Sequence, residues 1–352
     1  ATGQDGYWLS KLLLEKGYEV YALARRSSSR SLGTLELLPR DAVHVVWGDV
    51  TDFHSMLALV ERVRPDELYH LAAQSFVAYS FENPSATYDV NIGGTLNVLN
   101  AVRDAGLAGR TRIYYAASSE MFGRPGSCPQ NEDTPMRPRS PYAASKLAGY
   151  WTSRVYREAY GMFIACGILF NHESEVRGPE FVTRKIAMEV ARIARELSSD
   201  PRSVPRPLLL GNLDARKDWG YAPDYVDAMW RMLQIDRPDD FVIGTGEQHT
   251  VREFAMEAFR AAGMEIAWRT GADGLEEGVD KDGRVLVRVD PSLYRPLEAE
   301  NYCADYSKAR RILGWEPRAR FRDLVRIMVE HELGAGPSRR GAPSAQSTTP
   351  PS

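Results

Sequence analysis

Up to Ala117 the chain alternates between short β-rich runs and amphipathic segments of about 12 residues. The segment from Gly6 to Gly17 has apolar residues at helical spacing and stops at a glycine, after which Tyr18 to Ala24 alternates as a strand does. Val43 to Trp47 and Glu67 to Leu71 read as strands on either side of a helix from Phe53 to Val63. Gly94 to Ala105 is helical, and Arg112 to Ala117 is a further buried strand. Strands separated by helices of this length cannot pair as hairpins, so they must run parallel, with the helices crossing over both faces. The expected fold is therefore α/β: a doubly wound parallel sheet of Rossmann type, binding its ligands at the carboxyl ends of the strands.

After residue 170 the rhythm changes. Thr183 to Leu197 reads as a long helix, followed by a connection rich in proline at Pro201, Pro205 and Pro207. The expected organisation is a dinucleotide-binding domain over 1–170, to which segments near 218–245 return, and a smaller C-terminal substrate domain over 171–333. Residues 334–352 have no apolar period and cannot offset their ordering entropy by burial, so they read as a disordered tail. At the front, Thr2-Gly3-Gln4-Asp5-Gly6 matches the last part of a Gly-x-x-Gly-x-x-Gly turn. The strand that should feed this turn would lie at the centre of the sheet. The pattern predicts that roughly 5 to 10 further residues precede Ala1.

Charge and composition narrow the function classes. With 47 acidic against 44 basic residues, the chain lacks the positive excess that nucleic acid or an anionic membrane would select. Its longest apolar stretch, Phe163 to Phe170, is far short of the roughly 20 residues that span a bilayer. Cys128, Cys166 and Cys303 are too few and too scattered for a disulfide framework, and a cytoplasmic setting is expected. His44, His54, His70, His172, His249 and His331 show no metal-ligand spacing, so no metal is expected.

The chemistry is concentrated at strand ends. Gly3 and Gly6 open a helix, where backbone amides and the helix dipole suit a pyrophosphate. Thr2, Gln4 and Asp5 complete that turn. Where NAD enzymes place an acidic residue, this chain has Arg25, Arg26 and Ser27, followed by two more serines. Guanidiniums and hydroxyls there suit the 2′-phosphate of NADP. Asp49 and Val50 follow the third strand, and Leu71, Ala72, Ala73, Gln74 and Ser75 follow the fourth, as candidate contacts to adenine and pyrophosphate. The sharpest constellation is Ser118, Glu120, Tyr142 and Lys146. Tyr142 and Lys146 are four apart behind Pro141, so both project from one helical face. A neighbouring ammonium is expected to lower the phenol from about 10 towards the working pH, making Tyr142 a base, with Ser118 hydrogen-bonding the same substrate hydroxyl.

These motifs resemble the extended short-chain dehydrogenase/reductase family and, within it, the GDP-mannose 4,6-dehydratases. The likeness is carried by residues 3–6, 25–29, 118–123 and 139–146, and by Asn-His-Glu-Ser (171–174), Phe-Val-Thr-Arg-Lys-Ile (181–186), residues 211–220 and Tyr-Arg-Pro-Leu-Glu (294–298). The resemblance implies a redox-neutral dehydration of GDP-mannose to GDP-4-keto-6-deoxy-mannose with NADP. Oxidation at sugar carbon 4 is followed by loss of water across carbons 5 and 6 and return of hydride to carbon 6. A plain reductase has no need of Glu120, which makes it the discriminating residue. The resemblance also implies that Lys146, His172 and Arg177 approach the cofactor, and that Asn171, Lys185, Arg216 or Lys217, Arg295 and Glu298 face the nucleotide-sugar. It further implies a homodimer or homotetramer built through helices such as 94–105 and 142–159. The chain departs from the family pattern in reading Glu175-Val176-Arg177 where Pro-Arg-Arg is usual, Arg216-Lys217 where Lys-Arg is usual, and Ser118 where Thr is common. The alternatives are a related NADP-dependent nucleotide-sugar epimerase or reductase, or a non-catalytic dinucleotide-sensing regulator, which would have no reason to retain Ser118, Tyr142 and Lys146 together.

Overall fold

The computed structural model describes residues 1–26, 31–294 and 302–334. It opens with α1 (Gln4–Glu15), β1 (Tyr21–Ala24), β2 (His44–Trp47), α2 (Phe53–Val63) and β3 (Glu67–His70). Two short helices, α3 (Val77–Glu82) and α4 (Pro84–Tyr88), then lead through a π-turn at Asp89–Gly93 into α5 (Gly94–Asp104). The first layer continues with β4 (Arg112–Ser118), α6 (Pro141–Tyr160) and β5 (Ile164–Leu169). Every pairing among its strands is parallel: β1 with β2, and β3-β4-β5 in order. Among the described residues no strand links β1 to β3.

Beyond β5 come β6 (Asn171–Glu173), α7 (Val182–Ser199), β7 (Leu208–Leu210), β8 (Arg216–Lys217), β9 (Trp219–Tyr221) and α8 (Ala222–Met232). Then follow β10 (Asp240–Ile243), β11 (His249–Thr250), α9 (Val251–Ala261), β12 (Ala267–Thr270), β13 (Glu276–Val279), β14 (Val285–Val289), α10 (Ser307–Leu313) and α11 (Phe321–Gly334). β10 adds to β5 in parallel, whereas β12-β13-β14-β7 form a separate mixed sheet. Gly334 closes α11, and residues 335–352, nearly all of the expected tail, lie outside the described residues.

Strand alternation builds two cores from one sheet. Ile113, Tyr115 and Ala117 of β4 face the same side as Ile164, Cys166 and Ile168 of β5 and pack under α5 and α6. Tyr114, Ala116, Ala165 and Leu169 face the other side, against Leu9 and Leu13 of α1, Met229 of α8, and Ala309 and Leu313 of α10. These side chains are almost wholly buried, and each large aliphatic contributes about 2 kcal/mol by leaving water. A third core packs Ile186 and Val190 of α7, Phe254 of α9, and Leu324 and Met328 of α11 against Val287 of β14.

The helix that carries Tyr142 is set by its ends and by one glycine. Ser140 caps α6, its side chain accepting from the Ala143 amide at 3.0 Å; Pro141 occupies the first turn, and Gly161 ends the helix in the left-handed region. At Gly149 a Cβ would lie 2.1 Å from the Tyr115 hydroxyl, so only glycine lets α6 settle this closely onto β4.

Candidate active site

The carboxyl ends of β1 to β5 open into one cleft of about 880 Å³, which also takes wall residues from the second layer. Thr2, Gly3, Gln4, Asp5 and Gly6 form its floor at the amino end of α1. Arg25 stands beyond β1, Asp49 and Val50 beyond β2, and Leu71, Ala72, Ala73, Gln74 and Ser75 beyond β3. Ser118 and Glu120 come from the end of β4, and Tyr142 and Lys146 from α6. Asn171 and His172 of β6, Arg177 after it, Lys185 of α7 and Lys217 of β8 close the opposite wall.

Two expected residues do not join this wall. Arg26 is exposed and off the cleft, because consecutive residues of an extended segment point to opposite sides and Arg25 takes the inward one. The same alternation in β8 separates the pair at 216 and 217: Arg216 is exposed and Lys217 lines the cleft. Ser27, Arg295 and Glu298 lie outside the described residues.

At the centre, Ser118 and Tyr142 both line the cleft, and hydrogen bonding from Ser118 acts to draw the phenol down. The Ser118 Oγ also accepts from the Glu120 amide at 3.2 Å, which caps the short turn carrying Glu120. The Glu120 carboxylate faces inward: Lys217 Nζ stands 3.9 Å from its Oε1, and its charge acts on both Tyr142 and Tyr302. The expected effect of Lys146 on Tyr142 is overturned. Burial pushes the phenol up to about 12, with the Ser118 hydrogen bond the largest lowering influence and the Glu120 charge adding to the rise. The Lys146 ammonium donates to the Ala116 carbonyl at 2.8 Å, and burial draws it down to about 8. Helical spacing aligned the two side chains, but the ammonium is held by the backbone of β4.

Further buried polar groups brace the cleft. Asn91, buried in the π-turn, accepts from the Gln74 amide at 2.8 Å and donates to the Ser145 hydroxyl at 2.9 Å, tying the end of β3 to α6. Glu173 is buried between Thr183, whose hydroxyl donates at 2.7 Å, and the Arg177 guanidinium at 3.1 Å, which stacks over the Phe181 ring. Burial lowers Lys185. Among the described residues no three His, Cys, Asp or Glu side chains gather as a metal cage. Likewise no helix is long and apolar enough to cross a membrane.

Comparison with known proteins gives a consistent picture. A family model described as GDP-mannose 4,6 dehydratase matches residues 1–328. GDP-mannose 4,6 dehydratase 2 of Caenorhabditis elegans is 46% identical over 341 residues, covering 94% of this chain and 87% of that one. The human GDP-mannose 4,6 dehydratase is also 46% identical over 341 residues, covering 94% and 89%. Among solved structures, a UDP-glucose 4-epimerase from Thermus thermophilus in complex with NAD superposes with a TM-score of 0.78 at 27% identity, covering 95% of this chain and 97% of its own.

Proposed function

This chain belongs to the GDP-mannose 4,6-dehydratase family, and from that premise we propose that it removes water from GDP-mannose through Ser118, Glu120, Tyr142 and Lys146 to give GDP-4-keto-6-deoxy-mannose. One observation carries the reading: a carboxylate, Glu120, faces the same cleft as the Ser118–Tyr142 hydroxyl pair and has a cation beside it.

The cleft fits a nicotinamide dinucleotide. At Gly3 nothing stands within 4 Å of where a Cβ would be, so the backbone at the amino end of α1 is open to a diphosphate. Arg25 supplies a cation where β1 ends, Asp49 an acceptor for an exocyclic amine, and Ala72 and Ala73 a wall without bulk. The Arg25 guanidinium on the cleft, with a serine two residues on in sequence, favours NADP over NAD. A bound dinucleotide supplies the acceptor for hydride from sugar carbon 4 and the donor that restores it at carbon 6.

The protein's own groups move the protons. Tyr142 takes the proton of the carbon 4 hydroxyl while Ser118 holds that oxygen by hydrogen bonding. Lys146, held by the Ala116 carbonyl, faces the dinucleotide beside Tyr142. Once carbon 4 is a ketone the carbon 5 hydrogen is acidic, and Glu120 removes it. The same carboxyl then protonates the departing carbon 6 hydroxyl, which leaves as water as the carbon 5–carbon 6 double bond forms. Return of the proton held on Tyr142 to carbon 5, with hydride at carbon 6, leaves the sugar short of one water, with no net oxidation.

The first layer holds the dinucleotide, with His172 and Arg177 at its edge, and the second holds the nucleotide-sugar. There Asn171, Lys185 and Lys217 face the substrate, the two lysines matching its diphosphate, with Arg295 and Glu298 as further candidates. The subunits pair as a homodimer or homotetramer through α5 and α6, where Leu96, Trp151 and Val155 stand exposed. The cytoplasm suits the three free thiols. The decisive experiment incubates the protein with GDP-mannose and NADP⁺. Loss of one water by mass without net NADPH supports dehydration, whereas stoichiometric NADPH or an unchanged sugar mass overturns it.

A further inference from the structure

The dehydration scheme gives one charge pair in the cleft no step of the reaction. Asp5 lies in the first turn of α1, and its Oδ2 is 3.0 Å from Nε2 of His172 on β6. The other ring nitrogen, Nδ1, is 2.8 Å from the Phe170 carbonyl oxygen. A carbonyl oxygen only accepts, and so does a carboxylate. Filling both contacts therefore takes one proton more than a neutral imidazole and an ionised carboxylate contain, and the pair is imidazolium with carboxylate. Gln4 ties the same elements together: its amide donates to Asp5 Oδ1 at 3.1 Å and to the His172 carbonyl at 3.0 Å, and accepts from the Ser174 hydroxyl at 2.8 Å. Tyr225 of α8 stacks on the imidazole with ring centroids 4.5 Å apart, which fixes its plane.

A carboxylate in the first turn of a helix that receives a diphosphate works against binding, because it adds negative charge where the phosphates must sit. We propose that His172 is a positioning residue that cancels the Asp5 charge and locks α1 to β6, so that the cofactor's pyrophosphate meets a neutral, fixed helix terminus. This rests on reading the Gly3–Gly6 turn as a dinucleotide phosphate site.

The charged and titratable neighbours agree on sign. Asp5 raises His172 above the ordinary imidazole value, while burial and Arg177 oppose it. His172 and Arg177 in turn hold Asp5 well below the usual carboxylate range against its own burial. Lys146 and Tyr142 of α6 and Tyr114 of β4 also feel the Asp5 charge, and Glu173 acts on Tyr225. Because His172 is raised in the folded protein, the clamp is charged below that elevated value and is lost as pH rises through it.

The test has two independent arms. In ligand-free protein, NMR of the imidazole should show His172 titrating above about 6.5 in the native chain and below it in Asp5→Asn, where burial is no longer opposed. In the second arm, fluorescence titration with NADPH should show His172→Gln binding roughly tenfold more weakly and without the native alkaline loss of affinity. Asp5→Asn/His172→Gln should return to within about twofold of native, because the unpaired carboxylate has gone. Native titration of His172 at or below the ordinary value overturns the proposal, as does a double variant as weak as His172→Gln, since loss of packing alone would give that result. Failure of the native protein to bind NADPH overturns the cofactor reading itself, and the NMR arm separates that failure from failure of the clamp.

Discussion

Replacing Glu120 by glutamine keeps the side chain's volume and removes only its ability to shuttle a proton. A positioned acid–base group contributes about 10²- to 10⁴-fold, so elimination should slow by roughly a thousandfold, or about 4 kcal/mol in the barrier. Loss of the Lys217 contact adds little to substrate binding: the two groups are 3.9 Å apart and both keep some solvent access, a setting in which ion pairs contribute on the order of 1 kcal/mol. The oxidation half-reaction should survive. The Glu120 charge is one cause of Tyr142's rise to about 12, so removing it lowers Tyr142 and moves the rising, acid-side limb of the oxidation profile to lower pH. Stopped-flow absorbance should therefore record a burst of reduced nicotinamide approaching one equivalent per site. Mass spectrometry should find a 4-keto sugar that still carries its carbon 6 hydroxyl. Two results would refute the reasoning: dehydration by Glu120→Gln within about tenfold of native, or loss of nucleotide-sugar binding with no burst at all.

Arg25→Ala should weaken NADP⁺ about tenfold or more while leaving NAD⁺ within about twofold, measured as paired dissociation constants, because a guanidinium–phosphate bond is charge-assisted and NAD⁺ has no 2′-phosphate. Lys146→Met should abolish turnover yet change unfolding free energy by no more than about 1 kcal/mol in denaturant titration. The stem keeps its volume, and release of a buried ammonium offsets the hydrogen bond lost at the Ala116 carbonyl. Gly149→Ala should cost about 2 kcal/mol by the same titration, since its methyl would sit 2.1 Å from the Tyr115 hydroxyl in a filled core.

What the sequence makes legible is what local periodicity controls. Tyr142 and Lys146 share a helical face because they are four residues apart, and Ser118 reaches the cleft because it ends a strand whose neighbours alternate cleanly into two cores. Asp5 and His172 stand 167 positions apart, and no spacing rule links the first turn of α1 to β6. Asn91 is equally silent, since an asparagine inside a helical run reads as surface until a π-turn aims it at the end of β3. Spacing places the Tyr142–Lys146 pair correctly and misleads about its ionisation, and the cause is physical. Spacing gives the direction of a side chain, whereas ionisation depends on how much water the fold excludes and on which partner the ammonium finds first. Here it finds the Ala116 carbonyl, and desolvation governs the phenol. A base so disfavoured in its own pocket ionises readily only when further positive charge arrives beside it. On the mechanism proposed above, Tyr142 as the first base would then be tied to occupancy of the site.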